Sequence, residues 1–225
     1  MAIPLFLAAH PAEVAAWPEH YAWMACRFSE QGLTNLPQKL PEGAMVILTD
    51  EIPPRQQDPE LVAKELSQLS CSAILLDFQR PGCDLTARIT AEIAKHATCP
   101  VGVAESYANA AACAVFLSPV PPERPLEEHL RPWWDRELWL DLSPSPTRIT
   151  VTSEGSQTEP LRTTPTAGSC HRDQALCCHY KIQITPKHID FDLWRTKEDL
   201  TDLLSVAESL GVTLAIGLYQ ELGDW

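Results

Sequence analysis

Between residues 44 and 104 the chain alternates short apolar runs with longer amphipathic ones, in the order strand, helix, strand, helix, strand. Strands separated by one helix each run the same way, so this segment predicts right-handed βαβ crossovers and a parallel sheet. The first run, 44–49, ends in Asp50 and Glu51, and Pro53-Pro54 prevents its continuation. Asp58-Pro59 then supplies an N-cap with proline at the first helical position, followed by Leu61, Val62, Leu66 and Leu69 on one face. A strand over 72–78 follows. Asp84 is expected to cap a second helix whose Leu85, Ile89 and Ile93 recur every four residues, and Lys95 and His96 suit the dipole of its last turn. The next strand, 100–104, ends at Glu105.

The same alternation extends in both directions. Apolar runs at 3–9, 113–117, 138–142 and 212–218 read as further strands, and a polar, proline-punctuated helix is expected over 126–134. Thr196 and Asp199 form a variant capping box before the stripe Leu200, Leu203, Leu204, Ala207 and Leu210, which ends at Gly211. Residues 143–195 break the pattern. There 147–152 and 158–163 read as a β-hairpin about Glu154-Gly155, 163–174 as loop, and 180–185 and 189–193 as more strands. About eight core strands in 225 residues fit an α/β fold of the (β/α)8, TIM-like type, small or irregular, as one domain over 1–225 with a hairpin insertion at 143–195. The crossover 105–113 is too short for a full helix. An open sheet binding a nucleotide lacks support, because no Gly-x-Gly-x-x-Gly turn is present.

Charge narrows the partners. With 17 basic against 30 acidic residues and a net charge of −13, the surface repels phosphate backbones and anionic lipids, so neither nucleic acid nor membrane is an expected partner. No Lys or Arg precedes Arg27, so the apolar start lacks the basic flank of a secretory signal, and a cytoplasmic location is expected. Eight cysteines spread through strands and helices are then expected to be reduced thiols. Cys170-His171 and Cys177-Cys178-His179 gather soft ligands, but their spacing matches no zinc pattern; no metal and no cofactor is expected. No Gly-x-Ser-x-Gly elbow marks a serine hydrolase.

In a parallel barrel the carboxyl ends of the strands converge on one face, where such folds place their chemistry. That rule would gather Asp50, Glu51, Asp77, Gln79, Glu105, Asp141 and Glu221 around one mouth, with His10 closing the first strand. A carboxylate-rich ring suits a carbohydrate or a metal. The alternative for any one of these residues is that it merely marks where a strand leaves the core. Asp77 is set apart by its apolar neighbours Leu75, Leu76 and Phe78, which leave its carboxylate beside a core and in need of a partner.

Asp77-Phe78-Gln79, ending an apolar strand of a barrel, resembles the chitinase-like (family 18 type) glycoside hydrolases, whose hallmark is Asp-x-x-Asp-x-Asp-x-Glu at the end of the fourth strand. In that family the Glu protonates the leaving oxygen and the Asp two residues earlier orients the substrate's N-acetyl group. The resemblance implies that Asp77 is the orienting Asp and Gln79 the acid position, with the two earlier aspartates replaced by Leu75 and Ser72. A Gln amide has no proton to donate at neutral pH. Hydrolysis is therefore expected to be weak or absent, unless Asp77 acts with Glu105 or Glu221 as a hydrolase of another type. Arg80, Asp141, Tyr219 and Gln220 join His10, Asp50 and Glu51 as candidate ligand contacts; Trp133, Trp134 and Trp139 offer ring faces but are better explained by packing. A third reading makes residues 143–195 the contact surface of a non-catalytic interaction module.

Overall fold

The parallel strands close into a ring. In the computed structural model, which describes residues 3–29, 32–50, 58–80, 82–165 and 170–223, eight parallel strands pair in the circular order β1 (Leu5–Ala9), β2 (Tyr21–Ser29), β4 (Met45–Thr49), β5 (Ile74–Asp77), β6 (Val101–Ala104), β7 (Ala114–Leu117), β8 (Glu137–Asp141) and β14 (Val212–Leu218), which returns to β1. A short strand, β3 (Gly32–Thr34), folds back antiparallel on β2. The fold is thus the expected small, irregular (β/α)8 barrel. Its second strand is the element the apolar pattern does not reveal. The run Tyr-Ala-Trp-Met-Ala-Cys-Arg-Phe-Ser changes register against β4 between Trp23 and Cys26, which breaks the two-residue period.

Alternation along each strand separates two environments. Ile74 and Leu76 face outward onto Val62 and Leu66 of α1 (Pro59–Ser67) and Ile89 and Ile93 of α2 (Asp84–His96). Leu75 faces inward with Phe6, Ile47, Phe116, Trp139 and Ile216. Burying each such side chain contributes about 1.5–3 kcal/mol, so the two faces together fix the register. On the far side, Leu138 and Leu140 pack outward on Leu200 and Leu203 of α4 (Lys197–Ser209). The lumen is filled rather than open: the Trp139 ring lies where a Cβ on Gly102 would have to be, so only glycine fits there.

The helix starts follow their capping residues. Asp58 accepts from the Glu60 amide at 3.0 Å, and at α4 the Thr196 hydroxyl and the Asp199 carboxylate each accept the other's backbone N–H, at 3.3 and 2.9 Å. At α2 the N-cap is Cys83, not Asp84; Asp84 is the first helical residue and places its charge in the first turn instead. Other crossovers are reduced. β6 leads to β7 through a single 3-10 turn, Glu105–Tyr107, and β7 leads to β8 through the five-residue α3 (Leu126–Leu130) and a second 3-10 turn.

Residues between β8 and α4 form more than a hairpin. β9 (Thr147–Thr152), β10 (Gly155–Pro160), β11 (His171–Asp173), β12 (Cys178–Ile184) and β13 (Ile189–Trp194) make a five-stranded antiparallel sheet in the order β10-β9-β13-β12-β11. β11 arises from the stretch read as loop, where pairing with β12 overrides composition. Two polar anchors hold this sheet on the barrel. Arg195, only 2% exposed, donates to the carbonyls of Cys177 at 3.2 Å and Val120 at 2.5 Å. Asp199, fully buried, accepts from Arg172 at 2.7 Å and His179 Nδ1 at 2.6 Å. Among the described residues no helix is long and apolar enough to cross a membrane.

Candidate active site

Because Leu75 and Trp139 face the lumen, the residues two positions later, Asp77 and Asp141, face it as well, at the carboxyl ends of the fourth and seventh barrel strands. They meet Glu221, from the short helix α5 (Tyr219–Leu222) after the eighth strand, around a cavity of 320 Å³. Apolar residues from several strands, among them Ala8, Met24, Ile47, Phe116 and Ile216, form its walls. Three carboxyl groups from three elements in an apolar cup is an arrangement with electrostatic consequences. Burial pushes the Asp141 carboxyl up to about 7, and the charges of Asp77 and Glu221 add to the rise. Burial likewise raises Asp77; the Gln79 amide, which donates to it, opposes the rise, and the charge of Asp50 adds to it. Near neutral pH the cavity therefore holds a carboxyl able to donate a proton, Asp141, beside a carboxyl already bonded by an amide, Asp77.

The loop after β5 is held from two sides. Asp50, 4% exposed, takes the backbone N–H groups of Gln79 at 3.0 Å and Arg80 at 2.9 Å, one on each oxygen. The Tyr107 hydroxyl donates to the Arg80 carbonyl. Asp50 thus fixes the main chain on which Gln79 stands, so that the Gln79 side chain reaches Asp77 from an exposed rim position. Beside this pair, the Thr49 hydroxyl is buried with no hydrogen-bond partner among the described residues, at the β4 position in register with Asp77.

Other candidates lie elsewhere. Glu105 accepts from the Ser118 hydroxyl at 2.9 Å and does not line the cavity. His10 is exposed and has its Nδ1 3.3 Å from the Ala12 amide. Gln220 donates to Glu13 at 2.9 Å, and Glu13 also accepts from the His10 amide, so these three residues form a separate surface group beside β1. Tyr219 follows the lumen-facing end of β14 by one residue and packs outside, against Ala9, Tyr21 and Ala44. Arg80 is exposed on the rim, and Glu51 lies outside the described residues. Trp139 fills the lumen below the cavity, Trp133 packs on the outer core and Trp134 is exposed. Of the Cys/His cluster, Cys177 and Cys178 are buried thiols, His171 lies against the Tyr180 ring and His179 is committed to Asp199.

Sequence reasoning did not single out Ser143 or Tyr107. Ser143 lines the cavity and donates to Glu221 at 3.1 Å, which orients that carboxylate. Its position two residues after Asp141, just beyond a strand end, is the signal that marks it. Tyr107 leaves no such mark, because its role depends on a loop nearly thirty residues earlier in the chain.

No protein-family model matches the sequence, and no curated protein matches it significantly. Solved structures do resemble the fold. A chitinase from Chromobacterium violaceum superposes with a TM-score of 0.60 at 10% identity, covering 96% of this chain and 93% of that one. The spore cortex-lytic enzyme SleL from Bacillus cereus gives 0.54 at 8% identity, over 96% of this chain and 70% of that one. SleL from Bacillus megaterium gives 0.54 at 9% identity, with the same coverage. The chain is thus a closed (β/α)8 barrel of the kind found in chitinases and spore cortex-lytic enzymes.

Proposed function

We propose that the mouth of this barrel binds a saccharide or a similar polar ligand in the manner of a glycoside-hydrolase barrel, with hydrolysis weak or absent. The observation that carries this reading is the Gln79–Asp77 hydrogen bond at the end of the fourth barrel strand, on the rim of the apolar cup lined by Asp77, Asp141 and Glu221. Resemblance to chitinase-like hydrolases makes position 79 the acid. An amide there can hold a glycosidic or amide oxygen by hydrogen bonding but has no proton to give it. The apolar walls suit the ring faces of a sugar, and the carboxyl groups suit its hydroxyls. The cup is too small for a polymer, so a single ring entering it from a longer chain is the expected mode.

One feature favours a second reading. Asp141 retains a proton near neutrality inside the same cup, so an acid could come from the seventh strand, with the Asp77 carboxyl across the cup as its partner. Gln79→Glu and Asp141→Asn distinguish the two. Turnover of an aryl chitooligosaccharide by Gln79→Glu, absent from the wild type, supports the first reading. Wild-type turnover that Asp141→Asn or Asp77→Ala abolishes supports the second. If none of these variants alters either turnover or saccharide affinity, measured by calorimetry, the barrel mouth is not the site.

A further inference from the structure

Cys71 and Cys99 precede neighbouring strands, β5 and β6, at the amino end of the barrel, opposite the cup. Their sulfurs are 3.6 Å apart. Adjacent strands lie about 4.8 Å apart, which is within the Cα spacing that disulfides span, so two neighbouring strand starts suit such a bond. The sulfurs stand roughly 1.5 Å beyond bonding distance. Both side chains are half-buried, and Cys71 lines a surface groove with Leu69 and Ser72, which gives a small reagent a route to the pair. Among the described residues no other cysteine thiol is hydrogen-bonded to a second cysteine. Cys26, Cys177 and Cys178 are buried, and the exposed Cys113 bonds to Glu137 instead, at 3.2 Å.

We propose that Cys71 and Cys99 form a redox-active dithiol that closes to a disulfide on exposure to a small-molecule disulfide of the glutathione type. Either thiol can donate the hydrogen bond that joins them; with Cys71 as donor, Cys99 is held below the ordinary thiol range and its thiolate is the attacking group. That thiolate displaces one half of the small disulfide as a thiolate and forms a mixed disulfide. Cys71 then loses its proton to solvent and attacks the Cys99 sulfur, expelling the second half. The protein loses two electrons and two protons, and one small disulfide becomes two thiols. The closed bond would tie the start of the fourth barrel strand to the start of the fifth. It would enclose β5, the Asp77–Gln79 turn and α2 in one covalent loop.

The test uses the full chain, reduced and then equilibrated in buffers of rising oxidised-to-reduced glutathione ratio. Free thiols are alkylated and the digest is read by mass spectrometry. The expected result is a linked peptide pair carrying Cys71 and Cys99, formed at a ratio about ten-fold below that which caps Cys113, because the second thiol acts at high effective concentration. Cys71→Ser should leave a stable mixed disulfide on Cys99, and Cys113→Ser should leave closure unchanged. Melting curves of the variants verify that they fold. Should one serine variant fail to fold, the wild-type linkage still decides. Mixed disulfides on both residues without a linked pair, linkage to other cysteines in equal yield, or no reaction at either residue would overturn the proposal.

Discussion

Replacing Asp141 by Asn removes an ionisable group from the cup while keeping its shape, and the consequence should depend on pH in a defined way. In the unfolded chain the Asp141 carboxyl ionises at its ordinary 3.8; in the fold, burial and the charges of Asp77 and Glu221 raise it to about 7. Its folded form binds the proton more tightly, so its stabilising effect is complete below 3.8 and is lost as pH rises toward 7. At about 1.4 kcal/mol for each pH unit between those two values, the loss across the window is at most about 4 kcal/mol. The side chain keeps some solvent contact through the cavity, so about 2 kcal/mol is the working expectation. Urea unfolding of wild type and variant at pH 4 and pH 8 measures it. The two should have similar stability at pH 4, with Asp141→Asn the more stable by about 2 kcal/mol at pH 8. Parallel pH profiles would refute the argument. Adding Asp77→Asn to the wild type should leave the loss at the same pH if burial alone holds Asp141 up, and should move it to lower pH if the charge of Asp77 contributes; the structure predicts the second.

Three other perturbations test separate parts of the fold. Asp199→Ala strips the buried carboxylate from Arg172, His179 and Thr196; a loss of about 3–5 kcal/mol in urea unfolding is expected. Burial works to raise this carboxyl, but hydrogen bonds from Thr196, Arg172 and His179 outweigh it and hold the group below its ordinary range, so its contribution should persist above about pH 4 and fall away as pH drops further. Gly102→Ala drives a methyl into the Trp139 ring and should cost about 1–3 kcal/mol, largely recovered when Trp139→Leu is added, as a double-mutant thermal melt would show. Tyr107→Phe removes the hydroxyl bond to the Arg80 carbonyl and should weaken saccharide binding at the rim more than it lowers stability, which calorimetry and a melt together would separate.

What could be read from the sequence depended on whether the signal was local. Helix α4 was legible from one capping box and one apolar stripe, both within fifteen residues. The strands bearing Asp77 and Asp141 were legible because burial on both faces leaves a continuous apolar run. β2 was hidden by a register shift that breaks its period, and the five-stranded sheet was underestimated because β11 depends on a partner and not on its own composition. The mouth was legible as a list of strand-end acids but not as a geometry. Alternation assigns Asp77 and Asp141 to the lumen and Tyr219 to the outside once strand ends are known to one residue, and sequence patterns locate ends less sharply than that. Asp50 could not be recognised as a loop anchor, because its partners at Gln79 and Arg80 come from the next strand.

The order in which the strands are joined has a consequence for biosynthesis. β14, the last strand in the chain, is the one inserted between β8 and the first strand, pairing Leu5 with Ala215. Until residues 212–218 leave the ribosome, the nascent sheet has two open edges, on β1 and β8, and the whole insertion is made during that interval. Such edges are templates for association with other chains. The antiparallel sheet, whose pairings are all internal to 147–194, can fold meanwhile without closing either edge. The burden on a chaperone should therefore fall on β1 and β8, and a ribosome stalled just short of β14 should display both.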